Sequence, residues 1–321
     1  MFTKILITGC CGFIGFNLSK EFLKNEKIKI LGIDNLNNYY SLRLKKERLN
    51  NLKNKKNFSF KKIDIINQKK IENIITKFKP QYIYHFAAQA GVQHSIKYPQ
   101  KYLDNNIVGF FNILEISRKI KPKRIFFASS SSVYGDQKQS LLKEKFKLNP
   151  KNLYGLSKKN NEEMAEIYSN LYNMKIIGLR FFSIYGEWGR PDMIIFKIML
   201  AAKNKEKFFI NNFGNHYRDF TYIKDTIKIL IKLKSAKMIN KFEVFNISSN
   251  CPIKLDMIIK KILSNISTKP KLVKRNFQVG DIYKTNGDNK KIKKLTKIRF
   301  TKFDKALKDT INWNKKYLKL S

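Results

Sequence analysis

The chain has 321 residues, 43% of them hydrophobic and 13% aromatic, which is enough apolar material for one large or two closely packed units with a sizeable core. A disordered chain is excluded because aromatic and branched residues run from end to end, and a disulfide scaffold because there are three Cys, two of them adjacent (Cys10 and Cys11). The net charge is +42, but only nine of the 66 basic residues are Arg, and the Lys are scattered through nearly every segment. That pattern reads as a solvated Lys surface set by overall composition rather than a specific nucleic-acid site. Anionic small molecules would still be attracted, and salt would weaken that attraction.

In chain order, apolar runs alternate with helical patterns. Strands are predicted at Lys4–Thr8, Ile28–Ile33, Phe58–Ile63, Tyr82–Phe86, Arg124–Ala128 and Lys175–Phe182. Helices are predicted at Phe13–Lys24, Ile71–Phe78, Leu103–Ile120 and Asn160–Tyr172. Such alternation predicts an α/β fold, a Rossmann-type doubly wound parallel sheet covered on both faces. From about residue 183 the pattern is irregular, with helices near Phe196–Lys203, Leu255–Leu263 and Phe303–Tyr317 and strand-like Phe208–Asn211 and Val244–Ile247. The expected division is a dinucleotide-binding domain over 1–182 and a smaller substrate-binding lobe over 183–321, part of which returns to the sheet. No stretch reaches the roughly 18–20 apolar residues of a membrane span. The N-terminus reads as a strand running into a turn, not a signal segment, so a cytoplasmic, reducing location is the expectation.

The first strand runs into Thr8-Gly9-Cys10-Cys11-Gly12-Phe13-Ile14-Gly15. Glycines between a strand and a helix permit a tight turn, close approach of amides to a pyrophosphate, and close helix packing. The second strand ends at Asp34, a carboxylate suited to an adenosine ribose and hostile to a 2′-phosphate, which favours NAD over NADP.

A Tyr followed four residues later by Lys is a candidate acid/base pair, because an ammonium favours the phenolate. With 15 Tyr and 57 Lys, about three such pairs are expected by chance. Two occur, Tyr134/Lys138 and Tyr154/Lys158. Tyr134 sits in a turn, whereas Tyr154 opens a helix that puts Lys158 on its own face. Upstream, Ser129-Ser130-Ser131-Ser132 brings hydroxyls to the carboxyl end of a strand, where such sheets bind ligands. His85, His94 and His216 show no metal-ligand spacing, and no metal is expected. Cys10 and Cys11 read as small buried turn residues.

The glycine turn, Ser cluster and Tyr-x-x-x-Lys, in this order, resemble the extended short-chain dehydrogenase/reductase family, and within it the UDP-glucuronate 4-epimerases and their nucleotide-sugar relatives. The likeness is carried by Gly32–Tyr40, His85–Val92, Ser129–Gly135, Leu179–Gly186, Trp188–Met193, Arg218–Tyr222 and Gly280-Asp281, collinear over nearly the whole chain. It implies that Gly9, Gly12, Gly15, Asp34, Asn35, Asp64, Ile65, Ala87 and Lys158 hold NAD. It further implies that Tyr154 is the base and acid, that Ser130 bonds to the reacting oxygen, and that Lys158 binds the nicotinamide ribose and lowers the Tyr154 pKa. Ser131, Ser132, Ser183 and Arg190 would lie near the sugar, and Arg218 and Asp281 at the uridine diphosphate.

The implied reaction is a redox cycle without net redox change. A hydride leaves C4 for NAD, the 4-keto sugar turns over, and the hydride returns to the other face. For a uronate, hydroxyls such as Ser131, Ser132 and Ser183 would hold the carboxylate out of line with the keto group and suppress loss of carbon dioxide. The absence of Asp or Glu after Ser130 argues against 4,6-dehydratase and decarboxylase chemistry. Gln93-His94 replaces the usual Arg-Tyr near the sugar, and Glu187 and Val279 replace Pro. UDP-glucose/UDP-galactose or UDP-N-acetylglucosamine 4-epimerase is therefore the alternative enzyme. A catalytically silent Rossmann protein binding polyanions is the alternative outside the enzymes. The helices Leu103–Ile120 and Asn160–Tyr172 carry apolar stripes that in relatives pair with a second subunit, which implies a homodimer; an intramolecular core accounts for the stripes almost as well.

Overall fold

The computed structural model describes residues 2–137, 141–278 and 280–320. Seven strands form the main sheet: β1 (Thr3–Thr8), β2 (Ile28–Asp34), β3 (Phe58–Lys62), β4 (Tyr82–His85), β5 (Arg124–Ser130), β6 (Ile176–Phe181) and β10 (Phe242–Ile247). Their order is β3-β2-β1-β4-β5-β6-β10, and every neighbouring pair is parallel. Parallel strands need helical crossovers, so both faces are covered and β1 is apolar on both sides. Ile5 and Ile7 join one core with Phe16, Leu230 and Ile311, while Leu6 points into the other with Phe110, Ile113 and Ile125. This alternation is the two-residue period of a strand with no solvent face.

β10 comes from the second half of the chain and lies at the edge of the sheet beside β6. The remaining strands build two small sheets: β7 (Ser183–Tyr185), β9 (Tyr217–Tyr222) and β11 (Pro252–Lys254), and separately β8 (Lys207–Asn211) with β12 (Lys271–Arg275). The helix Ile223–Ser235, absent from the sequence-based expectation, packs Leu230 and Leu233 into the main core. Also unforeseen is Leu42–Lys53, whose buried face carries Lys45 and Arg48 beside Leu44, Leu49 and Leu52. Two charged residues on the buried stripe hide its amphipathic signal.

The single long helix expected over Leu103–Ile120 is instead a π-helical turn, Leu103–Val108, followed by an α-helix, Gly109–Ile120. The wider turn gives Asn106 a special place. Its carbonyl oxygen accepts the Gln89 N–H at 2.7 Å, and its amide donates to the Gln89 carbonyl and to Ser157 Oγ at 3.0 and 2.9 Å. One buried side chain thus ties the segment after β4 to the helix that carries Tyr154.

Candidate active site

The strand order reverses between β1 and β4, so their following segments diverge and leave a crevice at the carboxyl ends of the strands. A cleft of about 410 Å³ opens there. Gly9 leaves β1 at φ +70°, and a Cβ on it would stand 2.7 Å from the Ala87 nitrogen. A Cβ on Gly15 would stand 2.2 Å from the Gly9 carbonyl oxygen. Only a chain without side chains there can turn so tightly and bring the helix Phe13–Phe22 so close. That helix begins at Gly12 with no side-chain cap, so its first amides are available to an anion at the positive end of the helix dipole.

Asp34, at the end of β2, accepts the Cys11 N–H at 3.0 Å and the Leu36 N–H at 2.8 Å. Burial pushes its carboxyl upward, against these hydrogen bonds and the pull of Lys45 and Arg48. Asn35 and Ile65 also line the cleft. Asp64, expected to touch the cofactor, is not among the lining residues. It stands behind Asn35 and accepts its amide at 2.8 Å. Cys10, Cys11 and Asp34 bring their ligand atoms within 4.8 Å of one another, the one such grouping among the described residues. The sequence reading did not foresee it, and burial drives the Cys10 thiol well upward.

Across the cleft, β5 ends at Ser130 and the helix Leu153–Tyr172 starts, capped by Asn152, whose side chain accepts the Gly155 N–H at 2.9 Å. That cap puts Tyr154 in the first turn and Lys158 one turn on, and both line the cleft. Burial raises the Tyr154 phenol, while a hydrogen bond with Ser130 and the Arg190 charge draw it down. Lys158, expected to lower Tyr154, does not figure among these influences. Burial brings Lys158 itself down to about 7. Tyr134, of the other Tyr/Lys spacing, is a structural residue: its hydroxyl accepts from Arg180 at 2.8 Å and donates to Asn246 at 2.7 Å. Its partner Lys138 lies outside the described residues. Arg180 forms a buried ion pair with Glu162 at 2.7 Å, and Ser129 donates to the same carboxylate. His85 is likewise packed, 2.8 Å from Thr8 Oγ1, with burial holding it down at about 3.

The remaining expected residues, Ser131, Ser132, Ser183, Arg190, Arg218 and Asp281, line the same cleft. Arg190 pairs with Asp192, and Tyr39 donates to that carboxylate at 3.1 Å. Arg218 donates to Asp281 Oδ1 at 2.7 Å. Tyr39, Tyr40, Lys45, Gln89 and Asn105 also line the cleft without having been singled out as site residues. Tyr39 and Tyr40 fall inside a motif already quoted; Lys45 sits on the helix that the hydropathy pattern hides. Arg48 was missed for the same reason. Fully buried, it donates to the Cys11 carbonyl at 2.9 Å and to the Gly189 carbonyl at 3.0 Å, joining the glycine turn to the segment after β7.

Of the departures from the family pattern, His94 packs on Tyr39 and Tyr98 with centroids 4.7 Å away in each case. Glu187 pairs with Lys224 and accepts from Tyr222 at 2.9 Å. Val279 lies outside the described residues.

A dinucleotide cradle at the switch point facing a Ser–Tyr–Lys wall is the layout of a short-chain dehydrogenase/reductase. The chain belongs to the extended branch of that class, in the family described as GDP-mannose 4,6 dehydratase, which it matches over residues 6–317. It is 38% identical to Protein CapI of Staphylococcus aureus over 88% of this chain and 89% of that one. It is 36% identical to the UDP-glucuronate 4-epimerase of Thermodesulfobacterium geofontis, covering 98% of this chain and 97% of the relative. Among solved structures, the UDP-glucuronic acid 4-epimerase of Bacillus cereus in complex with UDP-glucuronic acid and NAD superposes with a TM-score of 0.91 at 29% identity, over 98% of this chain and 99% of that one.

Proposed function

We propose that this protein is an NAD-dependent UDP-glucuronate 4-epimerase that interconverts UDP-glucuronate and UDP-galacturonate. The observation that carries the reading is the single cleft in which the glycine turn faces Ser130, Tyr154 and Lys158, with Arg218 and Asp281 at its far end. The end-to-end likeness to epimerases of that name supports it.

The cradle fits NAD: Gly9, Gly12 and Gly15, where a Cβ would strike backbone, would offer main chain to the pyrophosphate, Asp34 would accept from the adenosine ribose, and Asn35, bonded to Asp64, would lie with Ile65 and Ala87 beside them. When bound, NAD supplies a hydride acceptor that also returns the hydride. The chain's own task is the proton. Tyr154 takes it from the sugar 4-hydroxyl and later restores it; burial raises its phenol, and the Ser130 hydrogen bond and the Arg190 charge work against that rise. Lys158 holds the nicotinamide ribose. Ser131, Ser132, Ser183 and Arg190 hold the sugar, and Arg218 and Asp281 the uridine diphosphate. The neutral Gln93 and the engagement of Arg190 by Asp192 leave less cationic attraction for a carboxylate, which favours a neutral UDP-hexose as the second reading.

Leu156, Ile167, Leu171 and Tyr172 of the helix Leu153–Tyr172, with Val108 and Phe111 nearby, expose apolar surface. A second copy covers it in a homodimer. Among the described residues no helix is long and apolar enough to cross a membrane. Cys10, Cys11 and Cys251 are free thiols, as befits action in the reducing cytoplasm.

Incubation with UDP-glucuronate, with and without added NAD, and resolution of the products tests the reading. UDP-galacturonate should form, and Tyr154→Phe should lower the rate about 10³-fold. Turnover of UDP-glucose or UDP-N-acetylglucosamine alone would give the second reading precedence.

A further inference from the structure

Beside Asp281, a residue of the cleft wall, lies a titratable group for which the reaction at Tyr154 has no use. His216 precedes β9 and is 2% exposed. Its ring packs on Phe277 with centroids 5.2 Å apart, and its backbone carbonyl accepts the Leu255 N–H at 2.8 Å. One side of the ring is hydrogen-bonded to the backbone of Asn211. On the other side Nε2 has no hydrogen-bond partner, yet it stands 3.4 Å from Asp281 Oδ2. The other carboxylate oxygen, Oδ1, is filled by Arg218 at 2.7 Å and by the Ile282 N–H at 2.9 Å.

A ring that donates from Nδ1 to a carbonyl presents a lone pair at Nε2 when neutral. Two acceptors then face each other with no proton between them, inside a buried pocket where an unmade hydrogen bond is costly. Burial and the Arg218 cation hold the proton off, while the Asp281 carboxylate draws it on. These are the charged groups that act on the ring. Asp256, at the start of the neighbouring helix, is paired with Lys260 at 3.0 Å, and Lys284 stands over the Tyr217 ring. Arg218 and Asp281 line the cleft. An anion bound at Arg218 would offset the repulsion that keeps His216 neutral.

We propose that His216 is a positioning residue that takes a proton from solvent onto Nε2 when a nucleotide diphosphate occupies the Arg218 end of the cleft, closing an Nε2–H···Oδ2 bond that fastens Asp281. The proton returns to solvent when the nucleotide leaves. The inference rests on the reading of the substrate as a UDP-sugar. It makes substrate affinity fall as pH rises, because the liganded state binds more protons than the free one.

The test is calorimetric titration of UDP-glucuronate and of UDP-glucose into the NAD-loaded Tyr154→Phe protein. In that background neither turnover nor phenol ionisation contributes. Both ligands are diphosphate diesters with no group titrating near neutral pH. Measured between pH 6 and pH 8 in buffers of different ionisation heat, binding should take up a fraction of a proton and weaken about three- to tenfold across the range. His216→Gln, which keeps a polar side chain without titrating, should abolish the uptake and flatten the profile. A role confined to packing would shift affinity equally at every pH. With three histidines in the chain, the ¹⁵N-histidine spectrum gives an independent readout in the unsubstituted ring: the His216 signal should titrate at higher pH once UDP-glucose is bound. Binding without proton uptake, or uptake that persists in His216→Gln, would overturn this inference alone. Failure of both nucleotide sugars to bind would overturn the substrate reading and this inference with it.

Discussion

The two ends of the cleft are built by different means. At the glycine turn the surface offered to a ligand is main chain, its shape set by what a Cβ would strike: the Gly9 carbonyl for Gly15, the Ala87 nitrogen for Gly9. At the far end it is side-chain charge brought from long distances along the chain, as where Arg218 meets Asp281, 63 residues on. A backbone cradle is rigid and indifferent to what else binds, whereas charges held by other charges can be redistributed when an anion arrives. The first arrangement suits a cofactor that is common to many reactions, and the second suits a choice among substrates.

The largest effect should follow from disturbing the cradle. Gly15→Ala puts a methyl group 2.2 Å from a backbone oxygen that cannot move aside without opening the turn. We expect a loss of about 2–3 kcal/mol in stability and about 100-fold weaker NAD binding, read by thermal melting and by NAD titration. Unchanged NAD affinity would mean that the turn is more pliant than its contacts indicate.

Arg218→Met sharpens the contrast. It should raise KM for the nucleotide sugar about tenfold, the worth of one charge-assisted hydrogen bond, while leaving NAD affinity within a factor of about two. Equal damage to both ligands would erase the distinction between the two ends.

The smallest effect concerns Lys158, which sits between them. Its folded pKa, about 7, lies below the ordinary 10.5 because burial penalises the ammonium. Between those values the unfolded chain holds more protons than the folded one, so stability of the cofactor-free protein should rise with pH across that window. The full penalty applies below about pH 7. Lys158→Met should therefore raise the melting temperature at pH 6 and lose that advantage by pH 9 to 10, at the cost of activity. A variant that melts earlier at every pH would show that the ammonium is satisfied in the folded state.

Where local pattern and burial agree, the chain is legible without its structure. β1, β2 and β4–β6 lie within a few residues of where alternation and apolar runs put them, because a parallel sheet buried on both faces demands continuous apolar strands. The helix Leu42–Lys53 escapes that logic, since Lys45 and Arg48 occupy its buried stripe, the one lining the cleft and the other bonded to the Gly189 carbonyl. The π-helical turn at Leu103–Val108 escapes it too: its purpose is to aim Asn106 at Gln89 and Ser157, partners that no periodicity announces. The Tyr/Lys spacing shows the limit most clearly. It occurs twice, and what separates Tyr154 from Tyr134 is that one faces the cleft while the other closes a buried network with Arg180 and Asn246.

By itself, then, the sequence determined the sheet, the glycine turn, the carboxylate at the end of the second strand and part of the cleft wall, without Tyr39, Tyr40, Lys45, Gln89 or Asn105. Each of these is a property of neighbours along the chain or of a motif kept whole. Only the tertiary structure decided which charges meet. It put Asp64 against Asn35, outside the cleft lining, and made Arg48 a tie between the glycine turn and Gly189. It also set His216 Nε2 3.4 Å from Asp281 Oδ2 with no hydrogen bond made between them. The physical reason is that hydrogen bonds and ion pairs act over a few ångströms of space, a distance that separation along the chain does not encode.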